Sequence, residues 1–458
     1  MGELPELPAG TWGIIGPGLV ASGVGLASGE FVLWPYIASQ VGLGFLWGAL
    51  AGVAIQWFLN LEIERYTLAT GETALTGFSR LWRPAGLAFA AAVVFANAWP
   101  GWATSSATLL TFLIGGDRAV IAAIMLVTAG AILTLAPVVY TALERLIVIK
   151  VAAIGILAGL ALWLVIEPAS WPALAADAVS GAGRLPPGVS LPIALGAIAF
   201  AGAGGGQNLC QSNWIRDKGF GMGRYVPRLT SPITGRAEPA VDSRACVFTV
   251  DDEGLGRWRR WWRFANVEQA LTFVVVTIVT IVFTSMLAWS TLHGRPNLPN
   301  TIDFLRIEGD VLAARGGLWF GRLFWAVGAY SLFAASVGVI DYTARLAADV
   351  LKWTYLRRTP IAESGLYAGI VWTLVGSGCA ILLAGLDQPI VLLVISACSG
   401  AVMMCAYSVL LIILNRRTLP RVIAIPPWRA TALVLAAVFF GGLAAVTIAQ
   451  QLQQLLER

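Results

Sequence analysis

One carboxylate and a short run of amides carry most of the chemistry open to this chain. Glu30 lies inside the apolar stretch GIIGPGLVASGVGLASGEFVLWPYIASQ, among Gly23, Gly25 and Gly29. An ionised side chain at bilayer depth costs roughly 2.5–3.5 kcal/mol on insertion scales, so such a residue marks function by default. A second apolar stretch, LPIALGAIAFAGAGGGQNLCQSNWIRDKG, runs Gly202, Gly204, Gly205 and Gly206 directly into Gln207 and Asn208, with Gln211 and Asn213 beyond. A carboxylate, side-chain amides and freed backbone carbonyls are oxygen donors, which suit hard cations such as magnesium, calcium, manganese or sodium. Glu30, Gln207 and Asn208 are therefore the candidate metal ligands, and Ala27, Gly29, Gly205 and Gln211 complete the candidate substrate-binding set. A Glu in an apolar cavity also offers proton coupling, because a cation arriving beside it expels its proton. Asn97, next to Trp99-Pro100-Gly101 at mid-depth, either lines the pathway or bonds a neighbouring helix.

The remaining reactive side chains fit plainer roles. The single histidine, His293, falls in a loop, and Cys210, Cys246, Cys379, Cys398 and Cys405 form no C-x-x-C pair, so they read as small hydrophobes. Glu62, Glu64 and Arg65 sit at the end of an apolar stretch, where snorkelling explains them. Asp341, Arg345 and Asp349 recur every four residues, the spacing of an ion-pair ladder on one helix face. Arg216-Asp217-Lys218 reads as an interface anchor, or a gate. No paired acids, buried His or H-E-x-x-H motif points to an enzyme, and no cofactor is expected.

What positions these residues is a membrane scaffold. Of 458 residues, 58% are hydrophobic and only 12% charged, against about 25% charged in average soluble domains; the mean hydropathy is +0.77. The apolar runs predict an all-α integral membrane protein of about eleven spans, near 13–38, 43–68, 85–114, 119–136, 142–166, 191–216, 264–290, 318–349, 363–384, 388–414 and 428–450. Glycine costs about 1 kcal/mol relative to Ala in a helix interior, so four in five positions should unwind the sixth span. The first span should break at Ala27-Ser28-Gly29-Glu30. Gly48 and Gly52 in the second span fit close helix packing instead. Two breaks five spans apart lie in oppositely directed spans, which is the pointer to an inverted-repeat transporter with a midplane site. The whole chain then forms one membrane domain: repeat one about 13–166, repeat two about 191–414, and an extra helix about 428–450.

Orientation follows the basic residues. With the N-terminus cytoplasmic, 23 of the 30 Lys and Arg fall on the inner side, Lys150 counted among them. The C-terminus is then extracytoplasmic, and a prokaryotic plasma membrane is the expected location. The net charge of +5 is thereby a topology signal, not a nucleic-acid footprint. MGELPELPAGTW lacks the basic n-region of a cleaved signal peptide. Residues 218–263 read as a cytoplasmic loop whose terminal RWRRWWR anchors the next span or meets anionic lipid.

Gly16-Pro17-Gly18 opening the first span, the broken stretch nine residues on, and Asn208-Leu209 after the second break resemble the Nramp family of divalent-metal transporters. The resemblance runs through spans 1, 2 and 6 and the general layout. It implies a LeuT-type 5+5 inverted repeat with unwound helices 1 and 6, and uptake of manganese or iron coupled to protons. The site departs from that family. Its D-P-G-N aligns with Ala27-Ser28-Gly29-Glu30, so the metal-binding Asp is absent and Glu30 stands at the Asn position. Its M-P-H-N aligns with Gly205-Gly206-Gln207-Asn208, removing the thioether ligand, and its span-6 histidines map onto Gln207 and Ser212.

The expected function is alternating-access transport of a hard cation, possible coupling ions being protons or sodium. The alternative is the same fold carrying a small organic solute such as an amino acid or amine. Of those two, Glu30 disfavours a carboxylate passenger. A channel would need a filter sequence, and none is present. The partners are a small ion or solute and the lipid bilayer, with no nucleic acid; the oligomeric state is open.

Overall fold

A computed structural model describes residues 2–7, 16–166, 170–226, 228–231, 233–234 and 247–456. Every regular element among them is helical. Nine of these helices are long and apolar enough to cross a membrane. The expected first and sixth spans are not among them, because each is split into halves too short to cross alone. The first comprises α1 (Pro17–Gly25) and α2 (Trp34–Val41), joined through Leu26–Ser28 and a π-helical turn over Gly29–Leu33. Prolines at the first positions of both halves, Pro17 and Pro35, lack an N–H that would need a partner there.

Next come α3 (Leu46–Thr70), the short α4 (Ala74–Leu81), and α5 (Arg83–Asn97) with α6 (Gly101–Ile114), one crossing kinked at Ala98-Trp99-Pro100. Then α7 (Arg118–Leu135) and α8 (Val139–Leu164) close the first half, followed by α9 (Ser170–Ser180). The sixth span is α10 (Leu191–Ala199) and α11 (Gly206–Lys218). Beyond it, α12 (Asp252–Glu268) continues through a π turn into α13 (Val276–Leu292); α14 (Phe304–Gly316) lies outside the spans; and α15 (Leu318–Val350), α16 (Glu363–Leu383), α17 (Pro389–Thr418) and α18 (Pro427–Leu456) complete the bundle.

Burial separates the centre from the periphery. The most apolar window of α15 is 72% buried, whereas those of α8 and α18 are 28% buried, so α15 is the central post and the others turn mostly outward. It packs on α5, α6, α8, α11 and α16. One end of the bundle, the basic end, gathers Arg65, Arg216, Arg345 and Arg429, and α14 lies at the other.

The expected loop over 218–263 is corrected in part. Residues 252–263 are helical and run straight into the next span, because Asp251 caps the helix by accepting from Gly254 N–H at 2.7 Å and two acids follow in the first turn. Trp258 and Trp261 are buried, and Trp261 donates to the Pro5 carbonyl at 2.6 Å. Trp262 is stacked by Arg65 at 3.9 Å and Arg429 at 5.0 Å. The tryptophans of this cluster therefore anchor the helix to the bundle, while Arg259, Arg260 and Arg263 stay exposed. Cys246 and residues 235–246 lie outside the described residues; Cys210, Cys379, Cys398 and Cys405 are free thiols.

Candidate functional site

The sixth span opens over Phe200–Gly205 because its glycines take conformations other residues avoid. Gly202, Gly204 and Gly205 have φ of +112°, +70° and +54°, in the region where a side chain is strained. The freed backbone groups need partners inside the bilayer. Gln56 of α3 supplies them. Its Nε2 donates to the Ala199 and Ala201 carbonyls at 3.1 and 3.0 Å, and its Oε1 accepts from the Ala203 and Gly204 N–H groups at 2.9 and 2.8 Å. One neutral amide thus replaces the helical ladder across the gap.

The first span breaks at Leu26–Ser28, and here the partners are different. Ser331 of α15 donates to the Leu26 carbonyl at 3.0 Å, and Trp102 of α6 to the Ser28 hydroxyl at 3.1 Å. The Glu30 carboxylate, fully buried, accepts from Ala27 N–H at 3.3 Å and, across the interface, from Gly202 N–H at 3.1 Å. Thr284 of α13 donates to the Glu30 carbonyl at 2.5 Å. The two breaks touch through bare backbone. A Cβ on Gly25 would collide with the Gly202 carbonyl oxygen, and one on Gly29 with that of Phe200. Glu30 therefore ties both openings together through one carboxyl group.

The basic residue that Glu30 bears on is Lys150 of α8. It is fully buried, its ammonium has no hydrogen-bond partner, and Glu30 is the charge that acts on it. This corrects its assignment to the basic end. It sits one turn beyond Leu146 on a helix whose Ile147 packs against Gly23 of α1, which places Lys150 against the first span.

The other expected ligands divide sharply. Asn208 is engaged in the scaffold: its Nδ2 donates to Asn60 at 2.7 Å, and its Oδ1 accepts from Tyr407 at 3.2 Å. Gln207 donates to the Ala21 carbonyl, tying α11 to α1. Asn97 bonds Val93, Tyr342 and Ser396, so the interhelical alternative describes it. Gly205 is set against Gly400, with no room for a side chain. Ala27 and Gly29 lie at the break as expected. Gln211, buried and one turn past Gln207, keeps both amide atoms without a partner. Sequence reasoning passed over Gln56 and Lys150, although both are polar residues inside otherwise apolar stretches, and that was the available signal.

At the basic end a buried network closes the bundle. Arg345 pairs with Asp341 at 2.9 Å and with Asp217; Arg216 pairs with Asp349 at 2.6 Å and with Glu363 at 3.4 Å. The expected ladder holds for Asp341–Arg345, but Asp349 turns to Arg216 on α11, so the network bolts α11 to α15 and α16. Nearby, outside the spans, burial raises the Glu72 carboxyl above the usual range, although Arg80 pairs with it at 2.5 Å. Glu62 pairs with Arg65 at 2.7 Å and Arg429 at 3.0 Å, which corrects the view that they merely snorkel.

No family model matches the chain, and no curated protein matches its sequence. Its fold is similar to solved structures. A manganese transporter of Eremococcus coleocola, seen in a mutant form, aligns at TM-score 0.72 and 13% identity over 98% of this chain and 90% of that one. MhsT in complex with L-phenylalanine aligns at TM-score 0.51 and 13% identity, covering 97% and 99%. Mhp1, a nucleobase-cation-symport-1 family transporter with bromovinylhydantoin bound, aligns at 0.54 and 10%, covering 95% and 93%. The chain is an integral, multi-pass membrane protein with the LeuT-type fold, as the Nramp resemblance implied.

Proposed function

We propose that this chain is a secondary transporter working by alternating access, and that its passenger is a small hard cation such as magnesium or manganese. The observation that carries the reading is the Glu30 carboxylate, which receives N–H groups from both broken spans at 3.3 and 3.1 Å while Lys150 supplies the opposing charge. Half-helix ends and a buried charge at the meeting point of two repeats form a site for a charged solute. An arriving cation competes with the lysine ammonium for one carboxylate, so Lys150 must yield its proton or move away. That competition gives a physical basis for proton coupling. Gln207 and Gln211 stand on the face of α11 that follows the break and complete the oxygen set. By the distribution of Lys and Arg, the basic end faces the cytoplasm and the C-terminus lies outside, in a prokaryotic plasma membrane.

A second reading, transport of an amine or other small organic cation, draws on the donor set. Among the described residues no three His, Cys, Asp or Glu side chains gather as metal ligands. The neighbour MhsT holds phenylalanine and Mhp1 a hydantoin, so this scaffold accepts organic solutes. Purified protein in liposomes tests both readings, with uptake of manganese, magnesium and a panel of amines measured under imposed proton and sodium gradients. Saturable metal uptake that falls at least tenfold in Glu30→Gln, with the variant still folded, supports the first; uptake restricted to amines supports the second. Undiminished flux in Glu30→Gln overturns the role of that carboxylate.

A further inference from the structure

Beneath α1 at the basic end lies a pair of carboxyl groups that the transport reading does not use. Glu64 on α3 and Glu268 at the end of α12 are both buried, at 1% exposure each, where α3 packs on α12 and on residues 269–275, and Glu268 acts electrostatically on Glu64. Glu268 is well supplied with donors. Its Oε1 accepts from Gly18 N–H at 2.9 Å, capping the first turn of α1, and from the Thr272 hydroxyl at 3.1 Å. Glu64 is not: neither of its oxygens has a hydrogen-bond partner, and neither has Oε2 of Glu268. Gln269, wholly buried, faces both carboxyl groups, and both of its amide atoms remain unpartnered.

Among the described residues no ion pair joins a Lys or Arg to either carboxyl, and Lys218, over the Tyr140 ring, is paired with Glu144 at 2.6 Å. Arg65, next to Glu64 in sequence, turns away to Glu62 and to the Ile423 carbonyl. The charged group bearing on Glu64 is Glu268 itself. From α8, Tyr140 faces Glu268 and, beyond it, Glu144, Asp217 and Arg345; its hydroxyl is buried and unpartnered. Two adjacent carboxylates in a low-dielectric site cannot both ionise, and the proton resides on the one with fewer donors.

We infer that Glu64 and Glu268 form a proton-binding pair under the first half-helix, the proton resident on Glu64 and the charge on Glu268. The charge then caps the N-terminus of α1, where the helix dipole favours it. Displacing that end of α1 would strip the cap and leave the anion free to take up a proton. The proton exchanges with water at the basic end, and no other bond changes.

Infrared spectroscopy of the purified full chain at neutral pH, in water and in deuterium oxide, tests this independently of any transport assay. Wild type is expected to show protonated-carboxyl absorbance that Glu64→Gln lowers by the share of one carboxyl, the Glu308 contribution remaining, with melting unchanged because a neutral isostere replaces a neutral acid. Glu268→Gln is expected to keep the band at a shifted frequency and to melt lower, having weakened the cap. The inference is overturned if Glu64→Gln leaves the protonated-carboxyl absorbance untouched or fails to fold. It is equally overturned if sodium chloride, compared with choline chloride, raises the melting of wild type but not of Glu64→Gln, because a metal cation would then fill the site.

Discussion

Both broken spans open beside glycines, yet the two gaps are held open by different chemistry. The gap in the sixth span is bridged by Gln56, a neutral amide that makes four hydrogen bonds of 2.8–3.1 Å to backbone. The gap in the first is held by single donors from Ser331, Trp102 and Thr284 and by a carboxylate that faces a lysine. A neutral bridge with every group satisfied has nothing to gain by changing state, whereas a carboxylate and an ammonium can each exchange protons or partners. The sixth-span gap is therefore scaffold, and the first-span gap is the part able to change state, which the proposed transport would use. The basic end agrees: α11 is bolted to α15 by buried ion pairs, while α1 is held at its foot by Glu268.

The harshest test of this contrast is Gln56→Leu. It leaves the Ala199 and Ala201 carbonyls and the Ala203 and Gly204 N–H groups unpartnered. Each such buried group costs about 1–3 kcal/mol, so the total rivals the whole stability of a typical domain, about 5–15 kcal/mol. The expected outcome is no folded protein, read as loss of the monodisperse peak in detergent. A Gln56→Leu chain that folds and melts like wild type would dissolve the distinction between the two gaps.

A milder test uses the side on which the first-span gap faces α14. Phe31 and Thr284, which flank Glu30, line a narrow cavity of about 10 Å³ together with Glu308, space for about one water. Glu308 is buried, one of its oxygens has no partner, and burial alone pushes its carboxyl up to about 8. Its folded-state value therefore lies above the unfolded one. The protonated form suits the fold, full stability is present at acid pH, and it is lost as pH rises from about 4.5 toward 8. Melting temperature should fall by several degrees across that window in wild type, and Glu308→Gln should flatten the decline. An unchanged slope in the variant would place the titration elsewhere.

Much of the scaffold was legible because it rests on local properties. Apolar length marked the crossings, and contiguous glycines marked the sixth-span gap, where positive φ at Gly202, Gly204 and Gly205 is the physical reason. The site was legible only in part, because depth along a helix can be read from sequence while rotation about it cannot. Asn208 lies at the expected depth but faces Asn60 and Tyr407, so it is scaffold. Lys150 was counted with the inner-side charges by its nearness to a span end, yet it turns inward to Glu30. Gln56 was marked only as a polar residue in an apolar stretch, and its partners could not be read because they lie more than 140 residues away. The helix at 252–263 was missed because a dense run of charge reads as loop, while the spacing of its buried tryptophans is helical.

The gentlest test removes one donor from the first-span gap. Ser331→Ala deletes the hydrogen bond to the Leu26 carbonyl at 3.0 Å and leaves a methyl-sized side chain in a fully buried place. A lost neutral hydrogen bond of this kind costs about 0.5–1.5 kcal/mol, so the variant should fold and melt slightly lower. Its effect on transport follows from the contrast between the two gaps. If the first-span gap responds to the passenger, loosening one tether changes the balance between its conformations, and uptake should shift in half-saturation before it shifts in maximal rate. If instead both gaps are rigid scaffold, Ser331→Ala lowers melting and leaves half-saturation where it was. A side-by-side uptake curve for wild type and Ser331→Ala separates the two cases, because a stability loss this small does not reduce the number of folded carriers.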